Sequence, residues 1–561
     1  MTQPRSSSAS TTCHARVPVA RPGLISGLVA VALLATACAN DEGEFGPVCA
    51  LDQVACGEVC TAILTDAQNC GGCGIPCPTG QSCQAGACQC DSGALCNGSC
   101  VPTDANPCGA PNASQLVVSA PGAYWRTDVP LAEATRASAD LTVDVTATAQ
   151  TWEGFGGAFN EMGWYYLSLL SETDRDFAIR LLYGVDGARF AFGRIPIGAS
   201  DYALDRYTLD ETPADFSLAG FSIARDRQWL IPFVKAAQAV RSNIRFWASP
   251  WTPPTWMKQE PFSPGNVVSP FDGGTMKDDD LTLQAFAQYL VRFVQAYAQE
   301  GITIEAISPQ NEPGYSGTYP TCGWAPATYA KLVGQHLGPA VAGAGLTTKI
   351  MLGSFNGGKG DTDIIGAVMG DSAARRQIDL LGFQWGMLGR VGDASKSYRR
   401  PIWQTEHKCG NYPWEEDDFV ASLAPNDDAY AVESWGLIRD WIKAGVTAYS
   451  AWNMVLDTTG ISIDTTRAWP QNALLTVDTT LGTLNITPTY WVFRHLSQFV
   501  VPGAKVLATK GGDAVAFRNP DGSVVVVMYN AGAPKTMILD VAGKPLGFAM
   551  PATAWATVVV P

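Results

Sequence analysis

Short apolar runs separated by longer helix-like stretches dominate residues 151–485. Eight runs read as strands: Trp152–Phe159, Arg189–Ile197, Ile244–Ser249, Ile304–Pro309, Lys349–Ser354, Ile378–Trp385, Pro401–Glu406 and Ala448–Met454. Segments such as Asp280–Gln299 and Asp427–Ala444 read as helices between them. Strands alternating with helices predict a parallel sheet. Eight such units over roughly 300 residues fit a closed (β/α)8 TIM barrel better than an open doubly wound sheet. On either side the pattern changes. Leu116-Val-Val and Leu141-Thr-Val-Asp-Val-Thr-Ala-Thr alternate as strands do, and so do the runs after Ala514, Ser523 and Ala554. Turn signals at Asn519-Pro-Asp-Gly and Asn530-Ala-Gly-Ala-Pro separate these last runs. The helical pattern fades from Thr489, so residues 486–561 are expected to form a β-sandwich, completed by residues 116–150. The predicted fold class is α/β, a TIM barrel with an attached β-sandwich.

The N-terminal region follows other rules. Residues 1–37 carry Arg5, Arg16 and Arg21, no acid, and an apolar run Gly27–Ala37 that is short for a membrane span. This reads as an export signal. Ala35-Thr36-Ala37-Cys38 resembles a bacterial lipobox, in which the Cys becomes the lipidated N-terminus; plain cleavage nearby is the alternative. The expected location is a lipid-anchored place in the bacterial envelope or cell surface, or otherwise secretion. After a tether at 38–48, residues 49–108 hold twelve of the chain's 16 Cys and no His. An even, dense set in an exported chain predicts a disulfide-rich module, with zinc at Cys70-Gly-Gly-Cys73 as the competing reading. Cys56-Gly-Glu-Val-Cys60 is echoed by Cys96-Asn-Gly-Ser-Cys100, a partial internal repeat. The partner of this module is not legible, and residues 109–115 read as a linker.

Composition narrows the function. The 561 residues are 47% hydrophobic and only 16% charged, enough for a large core. The formal charge of −15 becomes −18 once the three leader Arg are gone. So acidic a chain, without a basic stripe, is not expected to bind nucleic acid. No G-x-G-x-x-G or G-x4-G-K-[ST] motif supports nucleotide binding. Beyond the leader only His336, His407 and His495 remain, little material for a metal site or a Ser-His-Asp triad.

Active sites of such barrels lie at the C-terminal ends of the strands. Two predicted strands end in a carboxylate: the fourth at Asn311-Glu312-Pro313 and the seventh at Gln404-Thr405-Glu406. These strands face each other across the mouth. A retaining glycosidase needs two carboxyl groups about 5–5.5 Å apart, one protonated to serve the leaving oxygen and one ionised to attack. Cys322 and Cys409 follow the same two strands and could either join across the rim or remain separate thiols.

Five ordered blocks strengthen this reading: Trp152-Glu-Gly-Phe-Gly-Gly-Ala-Phe, Arg194-Ile-Pro-Ile-Gly-Ala-Ser-Asp201, Ala248-Ser-Pro-Trp251-Thr-Pro-Pro-Thr-Trp256-Met-Lys258, Asn311-Glu312-Pro313 and Tyr449-Ser-Ala-Trp452-Asn453. Together they resemble glycoside hydrolase family 30, the glucosylceramidase-like branch of the clan A barrels, over residues 145–510. The resemblance implies that Glu312 is the acid/base and Glu406 the nucleophile. It implies that Asn311 binds the sugar 2-hydroxyl, that Asp201 and Trp251 hold far-side hydroxyls, and that Trp452 floors the subsite. Arg194 would keep the nucleophile ionised. Where relatives commonly carry His-Trp-Tyr, this chain has Gln384-Trp385-Gly386, so Gln384 and Trp385 would support Glu406 and substrate differently. Asn160-Glu161 replaces a usual Thr-Asp; Glu161 is either a third acid at the mouth or a helix N-terminal charge.

The resemblance implies a retaining β-glycoside hydrolase with a β-linked glycan or glycoside as substrate, and neither cofactor nor metal. A β-glucosidic bond (glucosylceramide-like, β-glucoside or β-1,6-glucan) is expected, with β-xylosidase or xylanase activity of the same family as an alternative. A surface carbohydrate-binding or adhesion protein with an inactive barrel is the alternative from another class.

Overall fold

The structure, a computed structural model, describes residues 113–561 apart from 136–138, 260–268, 465 and 467, together with short pieces between residues 53 and 101. The predicted leader, Cys38 and the tether lie outside the described residues. Within the Cys-rich segment, Val54–Cys56 pairs with Val59–Thr61 and Ala94–Cys96 with Ser99–Val101. The two hairpins share one register, Cys56 opposite Val59 and Cys96 opposite Ser99, so the internal repeat is a repeated hairpin. Cys70 is bonded to Cys83, and Cys60 and Cys77 are disulfide-bonded as well. The sulfurs of Cys70, Cys77 and Cys83 lie within 4.8 Å of one another. All three are already in disulfides, which leaves that cluster no thiolate for zinc.

Eight strands close into a barrel in chain order: β1 Gly154–Ala158, β2 Phe192–Ile197, β3 Arg245–Pro250, β4 Ile304–Ile307, β5 Lys349–Phe355, β6 Leu380–Gln384, β7 Ile402–Glu406 and β8 Ala448–Asn453. Each falls on one of the eight predicted runs. Closure comes from β1 pairing with both β2 and β8. That approach is close: a Cβ at Gly156 would lie 2.3 Å from the carbonyl oxygen of Phe192. The lower end of the barrel is filled by Phe192, Trp247, Met351, Leu380 and Trp403, so it is a packed core and not a pore.

The helices form where the pattern puts them because their ends are capped. In α1, Asp280–Gln299, the Asp279 carboxylate accepts from the Thr282 amide at 2.9 Å, and Leu283, Phe286, Leu290 and Phe293 bury one stripe. In α2, Asp428–Ala444, Asp427 accepts from the Tyr430 amide at 3.1 Å, and Gly445 at φ 112° ends the helix. A third helix, α3 Pro488–Ser497, contradicts the expectation that the helical pattern fades from Thr489. Eight of its ten residues are buried, among them Arg494, His495 and Ser497, so its polar side chains do not mark a solvent face. No helix of the described residues is long and apolar enough to cross a membrane.

Ten strands from the two sides of the barrel in sequence make the second domain, Gln115–Ala120 pairing with Ala554–Val560 and Leu141–Thr151 with Lys505–Lys510. Strand alternation divides its side chains between two cores. Val118, Val526 and Val558 point into the sandwich with Leu141 and Leu539. Their neighbours Val117, Val525 and Val559 belong to the core shared with α3 and the barrel.

Candidate active site

The strand ends bring most of the predicted site residues to one cleft. A cavity of about 240 Å³ is lined by Asp201, Glu312, Trp385, Glu406 and Trp452 among others. Arg194, Trp251, Asn311 and Gln384 are absent from the lining and lie directly behind it, all buried.

These buried groups form one hydrogen-bonded network. Arg194, in the middle of β2, donates from Nη1 to Glu406 Oε2 at 2.5 Å and from Nη2 to Asn311 Oδ1 at 2.6 Å. Gln384 stands opposite Glu406 in the β6–β7 register. Its amide donates to Glu406 Oε2 at 3.1 Å and to Asn311 Oδ1 at 2.8 Å. A fully buried guanidinium is costly, and two features offset that cost. Its charge is paired, and the rings of Trp247, Trp251 and Trp452 lie 4.8, 4.3 and 5.3 Å from it. Trp251 also stacks on Trp452 with centroids 5.4 Å apart. In this geometry Trp251 backs the ring that faces the cleft and does not line the cleft itself.

The two glutamates sit in unlike surroundings. Glu312 adopts φ 48°, a left-handed conformation uncommon for a side chain of its kind, held by its amide donating to Ser354 O at 2.9 Å. Burial raises its pKa, the charge of Glu406 adds to that, and the Tyr319 hydroxyl, donating to Oε2 at 3.0 Å, opposes both. Burial also raises Glu406, but the charge and hydrogen bond of Arg194, with a hydrogen bond from Trp385, pull it back. Of the two, Glu312 therefore keeps its proton to higher pH. Asp201 is pushed up to about 8 by burial and then by Glu406, and its Oδ1 has no hydrogen-bond partner among the described residues. A neutral carboxyl facing a cleft can both donate to and accept from a hydroxyl.

Other predicted groups fall elsewhere. Glu161 opens the helix Glu161–Ser168 and is buried in a two-point ion pair with Arg225 at 2.9 Å, a structural role away from the cleft. Cys322 and Cys409 are both free, so no disulfide crosses the rim; Cys409 lines the cleft while Cys322 is buried beside Lys258. His407 turns away from its neighbour Glu406 to Tyr449 and to Ser434, and burial, with the charge of Lys408, drives it down to about 3, which favours the neutral ring.

The sequence reading missed the cleft's aromatic rim. Tyr315 and Tyr319 come from the loop after β4, Tyr412 and Trp414 from the loop after β7, and Trp469 from the loop after β8. Tyr412 and Trp414 stack at 4.7 Å with an 18° angle, and Trp414 remains 53% exposed. The signal was present as aromatic-rich loops directly after the carboxylate strands, but loop sequence does not say which way a ring turns.

Two family models match the chain: the glycosyl hydrolase family 30 TIM-barrel domain over residues 152–500 and the glycosyl hydrolase family 30 beta sandwich domain over 503–558. Mouse lysosomal acid glucosylceramidase is 26% identical over 436 residues, 73% of this chain and 80% of that protein. An endo-1,6-beta-D-glucanase of Aspergillus fumigatus is 28% identical over 429 residues, 70% of this chain and 81% of its own. The solved structure of an endo-beta1,6-glucanase superposes with a TM-score of 0.69 at 22% identity, over 80% of this chain and 99% of that one. The chain belongs to glycosyl hydrolase family 30 and is a glycoside hydrolase.

Proposed function

We propose that the protein hydrolyses β-glucosidic linkages with retention of configuration, Glu406 acting as nucleophile and Glu312 as general acid/base. The observation that carries this reading is the contrast between the two carboxyls of one cleft: Glu406 is paired with Arg194, and Glu312 is desolvated with a single hydroxyl donor. Arg194 and Gln384 both hold Oε2 of Glu406, which leaves Oε1 as the attacking oxygen. As Oε1 bonds the anomeric carbon, the glycosidic C–O bond breaks and its electron pair stays on the leaving oxygen, which takes the Glu312 proton. Water then attacks the anomeric carbon, gives a proton to Glu312 and releases Glu406. Asn311, held by Arg194 and Gln384, is the hydroxyl ligand beside the reacting carbon, and Asp201 binds a hydroxyl on the far side.

The substrate reading rests on the relatives named as glucosylceramidase and endo-1,6-glucanase, together with the aromatic rim, whose flat apolar faces suit a further sugar ring. The leader sequence supports an exported, Cys38-lipidated protein. Turnover of aryl β-glucoside and β-1,6-glucan above aryl β-xyloside, with the β-anomer first in the NMR spectrum of the product, is the expected outcome. Initial release of the α-anomer would overturn retention, and a preference for xyloside would overturn the sugar.

Tyr319→Phe tests the acid. Its hydroxyl stabilises ionised Glu312, so its removal lets Glu312 hold its proton to higher pH. The alkaline limb of kcat/KM is expected to move up by roughly one to two pH units, the worth of one hydrogen bond to a charged group. An unmoved limb would mean that another group sets it.

A further inference from the structure

The chain is strongly acidic, yet residues 371–400 hold six Arg or Lys against three Asp. Four of the arginines converge. Arg375 and Arg376 lie in the last turn of the helix Ser372–Gln377 and precede β6; Arg399 and Arg400 follow the helix Val391–Tyr398 and precede β7. With Met369, Ser397 and Tyr398 they line a cavity of about 210 Å³. All four are exposed, and none makes an ion pair among the described residues. Arg375 donates from Nη1 to Met369 O at 2.8 Å, which fixes one guanidinium at the wall.

Arginines gather at helix C-termini to meet the negative end of the dipole, and two such ends lie here. Each end amounts to roughly half a charge, so together they offset about one of the four positive charges. About three remain, with no carboxylate near enough to pair. Guanidinium forks match the oxygens of phosphate and sulfate two at a time. The cavity has room for such a group and for part of what carries it.

We propose that this pocket binds a phosphate-type oxyanion, free in solution or borne by the headgroups of an anionic surface. Its place gives the binding a consequence. The arginines precede β6 and β7, at the N-terminal end of the barrel, whereas the catalytic cleft is at the C-terminal end. The chain as a whole is acidic, so an anionic surface attracts it through a basic patch such as this one and repels it elsewhere on average. Docking there turns the cleft outward, towards substrate.

The test uses the full chain and the variant Arg376→Glu/Arg399→Glu/Arg400→Glu, which spares the wall-fixing Arg375. Binding is measured calorimetrically with inorganic phosphate, and by sedimentation with phosphatidylglycerol vesicles against phosphatidylcholine vesicles, in low and high salt. The wild type is expected to bind phosphate, the anionic vesicles or both, more weakly as salt rises. The variant is expected to bind roughly a hundredfold more weakly, at about one kilocalorie-scale contact per arginine. Its turnover of aryl β-glucoside should equal the wild type's, which shows the barrel intact. Phosphate binding without vesicle binding identifies a free anion as the ligand, and the converse identifies a headgroup. Wild type that binds neither probe, or a variant that binds as wild type does, overturns the proposal.

Discussion

Glu406→Gly is expected to lower kcat on β-glucosides by roughly 10⁵-fold or more, and added azide to restore turnover with formation of the α-glycosyl azide. The size follows from what the residue is asked to do. Without its carboxylate no glycosyl-enzyme forms, and the rest of the site still binds and donates a proton. The glycine also opens a gap beside the anomeric carbon, from which a small anion can attack the face that Glu406 used. One displacement then replaces two, so the configuration inverts. The substitution has a second effect, on stability. Arg194 is wholly buried, and Glu406 is its ionised partner at 2.5 Å. Breaking a buried pair by removing one member costs about 3–5 kcal/mol. Urea unfolding should show that loss in Glu406→Gly and less of it in Glu406→Gln, whose carbonyl still accepts from Arg194. If the two variants are equally inactive while only the Gly variant is rescued, the loss is chemical and not a failure to fold. Wild-type activity in either variant would remove Glu406 from the reaction.

The frame of this site was legible because barrel strands carry two signals at once. The run that buries a strand also marks its end, and the end is where chemistry is placed. Glu312 and Glu406 follow from that logic alone, without the resemblance. Arg194 was legible only through the resemblance; in sequence it is one Arg inside an apolar run, and its partners Glu406 and Asn311 are 212 and 117 positions away. Gln384 shows the same limit. Its contact with Glu406 depends on a register shift between β6 and β7 that no local pattern encodes. Loops were harder still. Tyr412, Trp414 and Trp469 take their places from packing against one another, Trp414 and Trp469 meeting edge to face at 5.4 Å. The possible bond between Cys322 and Cys409 failed for a related reason. Both follow catalytic strands, but the strands stand across the barrel, and only the loops could have brought the sulfurs together.

Glu312→Ala should separate substrates by their leaving groups. A sugar hydroxyl leaves poorly as an alkoxide, so β-1,6-glucan hydrolysis is expected to fall by roughly 10³–10⁴-fold, near the top of the range for general acid catalysis. A dinitrophenolate leaves unaided, so the first step on a dinitrophenyl β-glucoside survives. Water attack on the glycosyl-enzyme then becomes limiting because its general base is gone. The intermediate accumulates, and kcat and KM on this substrate fall together. Azide needs no base, so it accelerates that second step and gives the β-glycosyl azide, the anomer opposite to the product from Glu406→Gly. The pH profile changes in a defined direction. Glu312 must be protonated to serve a sugar leaving group, and burial holds its pKa up, so wild-type activity on β-1,6-glucan is lost as pH rises through that raised value. With alanine there is no such group, so the residual activity shows no alkaline limb while the acid limb, set by Glu406, stays. A variant that loses both substrates equally, or keeps its alkaline limb, would show that Glu312 is not the acid and that the proton comes from elsewhere in the cleft.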